Sequence, residues 1–323
     1  MDAIEVREYG DADVIEAVER ERPEPGPGEV RIAVEAAGIN FADIMQRRGL
    51  YPGGPEAPYV PGMEAAGTVD ACGEGVDLRE GDRVVAMVSG GGYAEYVLAD
   101  PATLFPIPEG MSFPEAAGFP VQFLTAHSCL FGWGGLEEGE RVLIQAAAGG
   151  VGTAAVQLAS NDGAEVFGTA SSAEKLELAA DLGCDHPIDY TETDFREVVD
   201  AETDGEGVDL VLESVGGDVF DRSLDALSHF GRLVTFGVAS GEPARADSQR
   251  LLFENKRVIG FHLGQAATRD PGRIMAAVPE LTAGLTSGEL SVIVGERFGL
   301  ADAADAHRFI EDRKSSGKVV LEP

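Results

Sequence analysis

The stretch Val142-Leu-Ile-Gln-Ala-Ala-Ala-Gly-Gly-Val-Gly152 has the residue types and spacing to hold a pyrophosphate. An apolar run enters a glycine turn, and a helix is expected from about Thr153 to Ser160. Glycines let the backbone approach an anion, and unpaired N–H groups at a helix start face its charge. Ala148, Gly149, Gly150, Val151 and Gly152 would line that cradle. Read as the dinucleotide pattern G-x-G-x-x-G, the first position is Ala147, followed by Gly149 and Gly152. The next candidate strand, Ala164-Glu-Val-Phe-Gly-Thr-Ala170, ends without the Asp or Glu that grips the ribose at NAD sites. Ser171-Ser-Ala-Glu-Lys175 follows instead, and the hydroxyls of Ser171 and Ser172 with the Lys175 ammonium suit a 2′-phosphate. NADP(H) is therefore expected over NAD(H). Ser171 and Glu174 also fit a helix capping box with Lys175 in solvent, and both roles are compatible. Ser214 and Val215 close one later strand, and Phe236 and Gly237 close the next. Ligands of doubly wound sheets sit at such strand ends, so these four are cofactor-lining candidates as well as simple strand closers.

These residues need a parallel sheet beneath them. From about Gly118, candidate strands Val142–Gln145, Val166–Gly168, Val208–Glu213, Arg232–Phe236 and Val258–Phe261 alternate with helices. The helices are expected over Val121–Leu130, Ala173–Leu182, Val219–Leu227 and Gln249–Glu254. That alternation predicts an α/β fold with a doubly wound parallel sheet. Upstream, short strands at Ile4–Glu8, Glu29–Ala37, Gly67–Cys72, Arg83–Val88 and Tyr93–Ala99 are separated by Gly and Pro turns, the texture of a β-barrel-type domain. The tail suggests a helix over Arg273–Ser287, a strand over Val292–Phe298, a helix over Ala303–Arg313 and a strand over Lys318–Leu321. It is expected to return to the first domain. The predicted division is residues 1–118 plus 264–323 for substrate and 119–263 for the dinucleotide, the second inserted in the first.

Composition narrows the classes. The chain has 323 residues, 57 acidic against 24 basic, for a net charge of -33. Lysine occurs only at Lys175, Lys256, Lys314 and Lys318. Such a surface repels itself at low salt, so a salt-rich cytoplasm is expected. It disfavours nucleic acid, whose phosphates need clustered Lys and Arg. No basic-then-apolar leader opens the sequence, and the apolar run from Val142 is interrupted by glycines, so neither secretion nor a membrane span is expected. Cys72, Cys129 and Cys184 are too scattered for a disulfide framework or a zinc ribbon.

Several longer motifs, in order, identify a family resemblance. Ala37-Gly-Ile-Asn-Phe-Ala-Asp43, Arg48-Gly-Leu-Tyr-Pro52, Val60-Pro-Gly-Met-Glu-Ala-Ala-Gly67, Leu124-Thr-Ala-His127, the glycine loop, Ile188-Asp-Tyr190 and Ser316-Gly-Lys-Val-Val-Leu321 resemble the medium-chain dehydrogenase/reductase superfamily. Within it the chain is most similar to the zinc-independent NADPH:quinone oxidoreductases. The resemblance implies a GroES-like substrate domain carrying an inserted Rossmann domain. It also implies a homodimer, or a tetramer, formed through the edge strand at Arg257–His262. Zinc-dependent members carry Cys where this chain has Asn40 and His where it has Met63. Glu64 and His127 alone are too few for a catalytic zinc, so no metal is expected.

By the same resemblance Asn40 and Tyr51 lie near the nicotinamide and the quinone. Asn40 would offer an amide donor, and Tyr51 a phenol able to donate a proton. Thr125 would touch the nicotinamide amide, Tyr190 would cover the adenosine phosphate, and Lys318 would reach the cofactor. Relatives often carry a tyrosine five positions after the asparagine, where this chain has Met45. The implied reaction is hydride transfer from NADPH to a quinone. Two alternatives stand beside it: reduction of an activated C=C in an enone, and a non-catalytic NADPH-binding protein.

Overall fold

Runs of Val, Ile and Ala between glycine turns pair early in the chain, as β-branched residues on half-buried strands do. The structure, a computed structural model, describes residues 1–323. The first stretch forms β1 (Asp2–Val6), β2 (Ile15–Glu19), β3 (Val30–Ile39), α1 (Phe41–Arg47), β4 (Glu64–Cys72), β5 (Arg83–Met87), β6 (Tyr96–Ala99), β7 (Leu104–Pro106) and α2 (Phe113–Ala117). Helix α3 (Pro120–His127) follows and continues as a π-helical turn over Ser128–Trp133. Next come β8 (Arg141–Ile144), α4 (Gly150–Asn161), β9 (Glu165–Ala170), α5 (Ala173–Asp181), β10 (His186–Asp189), α6 (Phe195–Glu202), β11 (Val208–Glu213), α7 (Gly217–Ala226), β12 (Leu227–Thr235), α8 (Ser248–Glu254) and β13 (Arg257–Gly260). The tail holds α9 (Leu263–Arg269), α10 (Pro271–Met275), α11 (Val278–Ser287), β14 (Val294–Gly299), α12 (Ala303–Glu311) and β15 (Lys318–Glu322).

The chain divides into one unit of Met1–Val121 with Val292–Pro323 and another of Gln122–Ser291. In the first, β14-β15-β3-β4-β5-β7 form a sheet, with β6 also paired to β3. Strand β15 runs antiparallel to β3 with Val319 opposite Ile39 and Leu321 opposite Ala37, so its first residue, Lys318, falls beside the end of β3. Strand β4 flanks β3 on the other side, with Ala65 opposite Ala37. The core beneath is aliphatic, including Ile4, Ile32, Ile39, Val69, Val84, Val319 and Leu321. Each such side chain, fully buried, contributes about 1.5–3 kcal/mol of transfer free energy.

The second unit is a six-stranded sheet in the order β10-β9-β8-β11-β12-β13, every pair parallel. Its strands read as continuous apolar runs because helices cover such sheets. Leu143, Phe167, Val211 and Leu233 come from four of them and are fully buried. The strand order reverses between β8 and β11, the switch point outside which ligands of this fold bind.

Several boundaries differ from the sequence reading. Strand β12 begins at Leu227 rather than Arg232, β6 begins at Tyr96 rather than Tyr93, and β14 begins at Val294 rather than Val292. The expected helix over Arg273–Ser287 is broken into α10 and α11, because Pro279 has no N–H and fits only the first turn of a new helix. Residues 264–291, read from sequence with the first domain, lie in the second unit.

Candidate functional site

In the first unit, chemistry collects where β3 passes into α1. Asn40 caps α1, and its backbone N–H donates to Asp43 Oδ2 at 2.8 Å, which starts the helix one residue after the strand ends. Glu64 opens β4 and Lys318 opens β15, so the sheet delivers both to Asn40. The Lys318 ammonium forms a salt bridge with Glu64 and donates to Asn40 Oδ1 at 2.8 Å. Asn40 Nδ2 donates to Glu64 Oε1 at 2.9 Å, and the Val121 backbone N–H donates to Glu64 Oε2 at 2.9 Å. The Lys318 and Glu64 side chains are 3% and 0% exposed. Burying two charges costs several kcal/mol per ion, on the order of what their attraction and added hydrogen bonds return. The cost is repaid only because every partner is in place. Gly38 supplies the room. A Cβ there would stand 2.6 Å from Lys318 Cε and 2.7 Å from Glu64 Oε1.

A second buried chain of polar groups lies behind α1. Tyr93 donates to Asp43 Oδ2 at 3.1 Å and lies 3.3 Å from His307 Nε2. Arg47 Nη1 is 3.5 Å from His307 Nδ1, and Arg47 Nη2 donates to Glu311 at 2.6 Å. Burial pushes the Asp43 carboxyl up to about 7, against the pull of the Asn40 N–H and the Lys318 charge. Its Oδ1 is buried with no partner. Burial, reinforced by the Arg47 charge, depresses His307 to about 3. Burial and then the Asp43 charge hold the Tyr93 phenol well above its ordinary range. Tyr51 lies in the turn after α1, half-buried, and burial followed by the Asp43 charge raises its phenol as well. A phenol held neutral is a proton donor rather than a base.

The second unit holds the glycine turn at which the sequence places a pyrophosphate. Ala146 has a φ of 55°, rare for a residue with a side chain, and begins the turn after β8. The turn is pinned to the next strand: the Ala147 N–H donates to the Thr169 carbonyl at 2.9 Å and the Ala146 N–H to Thr169 Oγ1 at 3.2 Å. Thr169 in turn donates to Gln145 Oε1 at 2.7 Å. Gly149 caps α4, and the N–H groups of Gly150, Val151 and Gly152 have no partner inside the helix. A Cβ on Gly152 would stand 2.2 Å from the Ala146 carbonyl oxygen, so the turn closes only with glycine there. These donors fit a dinucleotide pyrophosphate. At the end of β9, Ser172 caps α5 by accepting from the Lys175 N–H at 3.4 Å. Ser172, not Ser171, is thus the cap, which leaves the Ser171 hydroxyl outside it. Lys175 is partly buried, and burial lowers its pKa. Half-shielded cations gain from an anionic ligand, as a 2′-phosphate would be.

The other expected residues are placed as follows. Ser214 and Val215 follow β11, and Phe236 and Gly237 follow β12. The two loops are tied together by the Ala239 N–H to the Ser214 carbonyl at 2.8 Å and the Ser240 N–H to the Val215 carbonyl at 2.9 Å. Tyr190 follows β10, with its N–H on the Ala170 carbonyl at 3.2 Å. Thr125 is buried within α3. Lys318 is brought to Asn40, but its ammonium is engaged by Glu64 and Asn40 rather than extended toward a phosphate. Asp43, Glu64, Tyr93 and His307 were not marked as site residues from sequence. The signal available for two of them was an acid three residues after Asn40 and a charged residue inside the apolar run 60–67. No three His, Cys, Asp or Glu side chains converge on a point that could hold a metal.

Comparison with known proteins identifies the family. Residues 26–109 match the alcohol dehydrogenase GroES-like domain family, and residues 150–281 match the zinc-binding dehydrogenase family. The rat synaptic vesicle membrane protein VAT-1 homolog is 39% identical over 93% of this chain and 78% of its own length. The crystal structure of Escherichia coli quinone oxidoreductase complexed with NADPH superposes with a TM-score of 0.93 at 34% identity, covering 100% of both chains. The CurK enoyl reductase superposes with a TM-score of 0.89 at 34% identity, covering 99% of this chain and 98% of that one. The class is therefore a two-domain medium-chain dehydrogenase/reductase: a GroES-like domain and a Rossmann-type parallel sheet. Within that class the chain belongs to the zinc-independent quinone oxidoreductase family, whose members bind NAD(P).

Proposed function

We propose that this protein is an NADPH-dependent reductase of small quinones, working without a metal. What carries the reading is the occurrence in one chain of a glycine turn with unpartnered helix N–H groups, followed by Ser171, Ser172 and Lys175, and of a buried triad presenting the Asn40 amide. Bound NADPH supplies the hydride. Residues 150–152 hold the pyrophosphate by backbone N–H groups, and Ser171 with Lys175 takes the 2′-phosphate. Thr125, Tyr190, Ser214, Val215, Phe236 and Gly237 line the cofactor. Asn40 donates to the oxygen on which charge develops, and Tyr51, kept neutral by its surroundings, delivers a proton to it. The GroES-like domain carries the substrate side and the parallel sheet carries the dinucleotide. Escherichia coli quinone oxidoreductase, complexed with NADPH and similar over the full length of both chains, supports this choice of cofactor and acceptor.

Reduction of an activated C=C is the second reading, favoured by the similarity to the CurK enoyl reductase. NADPH oxidation at high salt against a benzoquinone, a naphthoquinone and an α,β-unsaturated ketone separates the two. Turnover with quinones alone supports the first, and preference for the ketone replaces it with the second. Binding of NADPH with no turnover on any of them would leave neither standing.

The same reading makes the protein a cytoplasmic homodimer adapted to salt. No helix is long and apolar enough to cross a membrane, and all three cysteines are free thiols. Strand β13 ends its sheet, with Phe230, Leu252 and Phe253 68%, 70% and 78% exposed on the same unit. An open strand edge with apolar neighbours is a pairing surface. Light scattering should give twice the chain mass, and Leu252→Asp with Phe253→Asp should halve it.

A further inference from the structure

The Asn40 amide is held between two neighbours whose hydrogen-bonding roles do not overlap. An ammonium has donors and no acceptor, so the atom 2.8 Å from Lys318 Nζ is the amide oxygen. A carboxylate only accepts, so the atom 2.9 Å from Glu64 Oε1 is the amide nitrogen. Side-chain amides usually leave this choice open, since the two ends have the same shape. Here one orientation satisfies both partners, and a flip would set oxygen on carboxylate and nitrogen on ammonium. The nitrogen carries two hydrogens. One goes to Glu64, and no partner takes the other. Glu64 and Lys318 are sealed from solvent while Asn40 is half-buried, so the amide is the accessible edge of the triad. The Lys318 charge on Oδ1 also polarises the amide and strengthens its free N–H.

We propose that Glu64 and Lys318 are positioning residues that lock the flip of Asn40, so that it meets its ligand's carbonyl oxygen as an N–H donor and not as an acceptor. The inference rests on Asn40 acting in the reaction, as proposed above. A locked donor gains strength as negative charge builds on the oxygen, and it weakens again when that oxygen becomes a hydroxyl in the product. The ligand oxygen belongs either to the quinone or to the nicotinamide carboxamide, and the test distinguishes them.

The chain has three asparagines, Asn40, Asn161 and Asn255, so ¹⁵N labelling of asparagine carboxamides gives three pairs of proton signals. Asn40→Ala identifies the Asn40 pair by its disappearance. In the full-length protein one proton of that pair should be shifted and slow to exchange, from its bond to Glu64. The other should move on addition of NADP⁺ if the carboxamide is its partner. If the quinone is the partner, it should move only when a naphthoquinone is added to the NADP⁺ complex, which cannot turn over. The double variant Glu64→Gln, Lys318→Met removes both charges together and so strands neither. It should average the Asn40 pair toward the positions of the other two and slow single-turnover hydride transfer by about tenfold or more. Lys318→Arg, which keeps a donor-only cation, should preserve the Asn40 pattern, and its loss there counts against the lock. Slow transfer in Asn40→Ala together with a fast double variant whose Asn40 signals have not moved would overturn the positioning role. Parental rates in Asn40→Ala would instead overturn the catalytic reading of Asn40, and the proposal with it.

Discussion

Gly38 is the glycine of the first unit at which an added Cβ would press on the Lys318–Glu64 ion pair. A Cβ there would meet the Ala117 carbonyl oxygen at 2.3 Å as well as Lys318 and Glu64. The carbonyl belongs to the backbone of α2 and cannot swing aside, so the added methyl must displace the ion pair. Gly38→Ala is expected to cost about 1–3 kcal/mol of stability by overpacking and to lower turnover more than cofactor affinity. Denaturant midpoints and steady-state kinetics check it, and a variant unchanged in both would show that the sheet yields. Asp43 and His307 make a second residue-scale case, in which two buried groups oppose each other. Between the ordinary carboxylate value of 3.8 and about 7, folded Asp43 keeps a proton that the unfolded chain has lost, so its contribution falls as pH rises. Between about 3 and the ordinary 6.5, the unfolded chain holds a proton on His307 that the folded state rejects, so its contribution falls as pH falls. The windows overlap from roughly pH 4 to 6.5, where slopes of about 1.4 kcal/mol per pH unit cancel. Asp43→Asn should unmask the histidine slope: relative to the parent, its stability should climb across that window. Parallel pH profiles for the two proteins would show that the Asp43 carboxyl is not shifted.

At the scale of elements, the proposed function places the choice of cofactor at the junction of β9 with α5. Ser172 caps the helix, and Lys175 stands one turn in, partly buried. Lys175→Ala removes one charge-assisted contact, on the order of 1.5–3 kcal/mol, so NADPH should bind about tenfold to a hundredfold more weakly. NADH, without the 2′-phosphate, should be little affected. Fluorescence titration with both nucleotides checks it, and equal losses would remove the 2′-phosphate from that corner. This junction was legible in the sequence because its parts are contiguous: strand, glycine turn, helix and next strand fall within Val142–Lys175. The triad was not, because hydrogen bonding joins residues 24, 254 and 278 positions apart. Asn40 and Lys318 were marked separately by the motifs around them, and only the antiparallel register of β15 on β3 shows that they touch. Glu64 drew notice as an insufficient metal ligand, and the buried lysine beside it gives it another role. Helix α1 was missed for a related reason. It is seven residues long and begins one residue after β3, so only the cap Asn40 with Asp43 three residues on announces it. The segment 273–287 was misjudged because helical periodicity continues through Pro279 while the backbone hydrogen bonding does not.

At the scale of the whole molecule, the few cations are shared out thinly. Arg31 and Arg22 both serve Asp70, while Arg141 bridges Glu165 and Glu206, Arg196 bridges Asp194 and Asp225, and Arg308 bridges Asp13 and Asp305. Arginine suits this use, since its planar fork offers several donors at once. Yet 57 acids against 24 bases leave a net charge of -33, which local bridging cannot remove. Salt acts on the two contributions with opposite sign. It weakens each exposed bridge, worth about 0–1 kcal/mol apiece, and it relieves repulsion summed over all the unpaired carboxylates. Screening shortens the reach of charge from about 10 Å at 0.1 M to about 3 Å at 1 M. Repulsion is the longer-ranged term and the unpaired acids are the larger population, so relief should win. The melting temperature should rise steeply as KCl is raised from roughly 0.1 to 1 M. The same field repels NADPH, itself an anion, whereas Lys175, the residue proposed to meet its 2′-phosphate, is partly buried and less open to screening. NADPH affinity should therefore strengthen with salt over this range, opposite to the behaviour of an ordinary phosphate site. Melting curves and nucleotide titrations in the same KCl series test both. Stability that is flat in salt would mean the acidic surface is already relaxed by its own spacing, and affinity that falls with salt would mean the local cation outweighs the global charge.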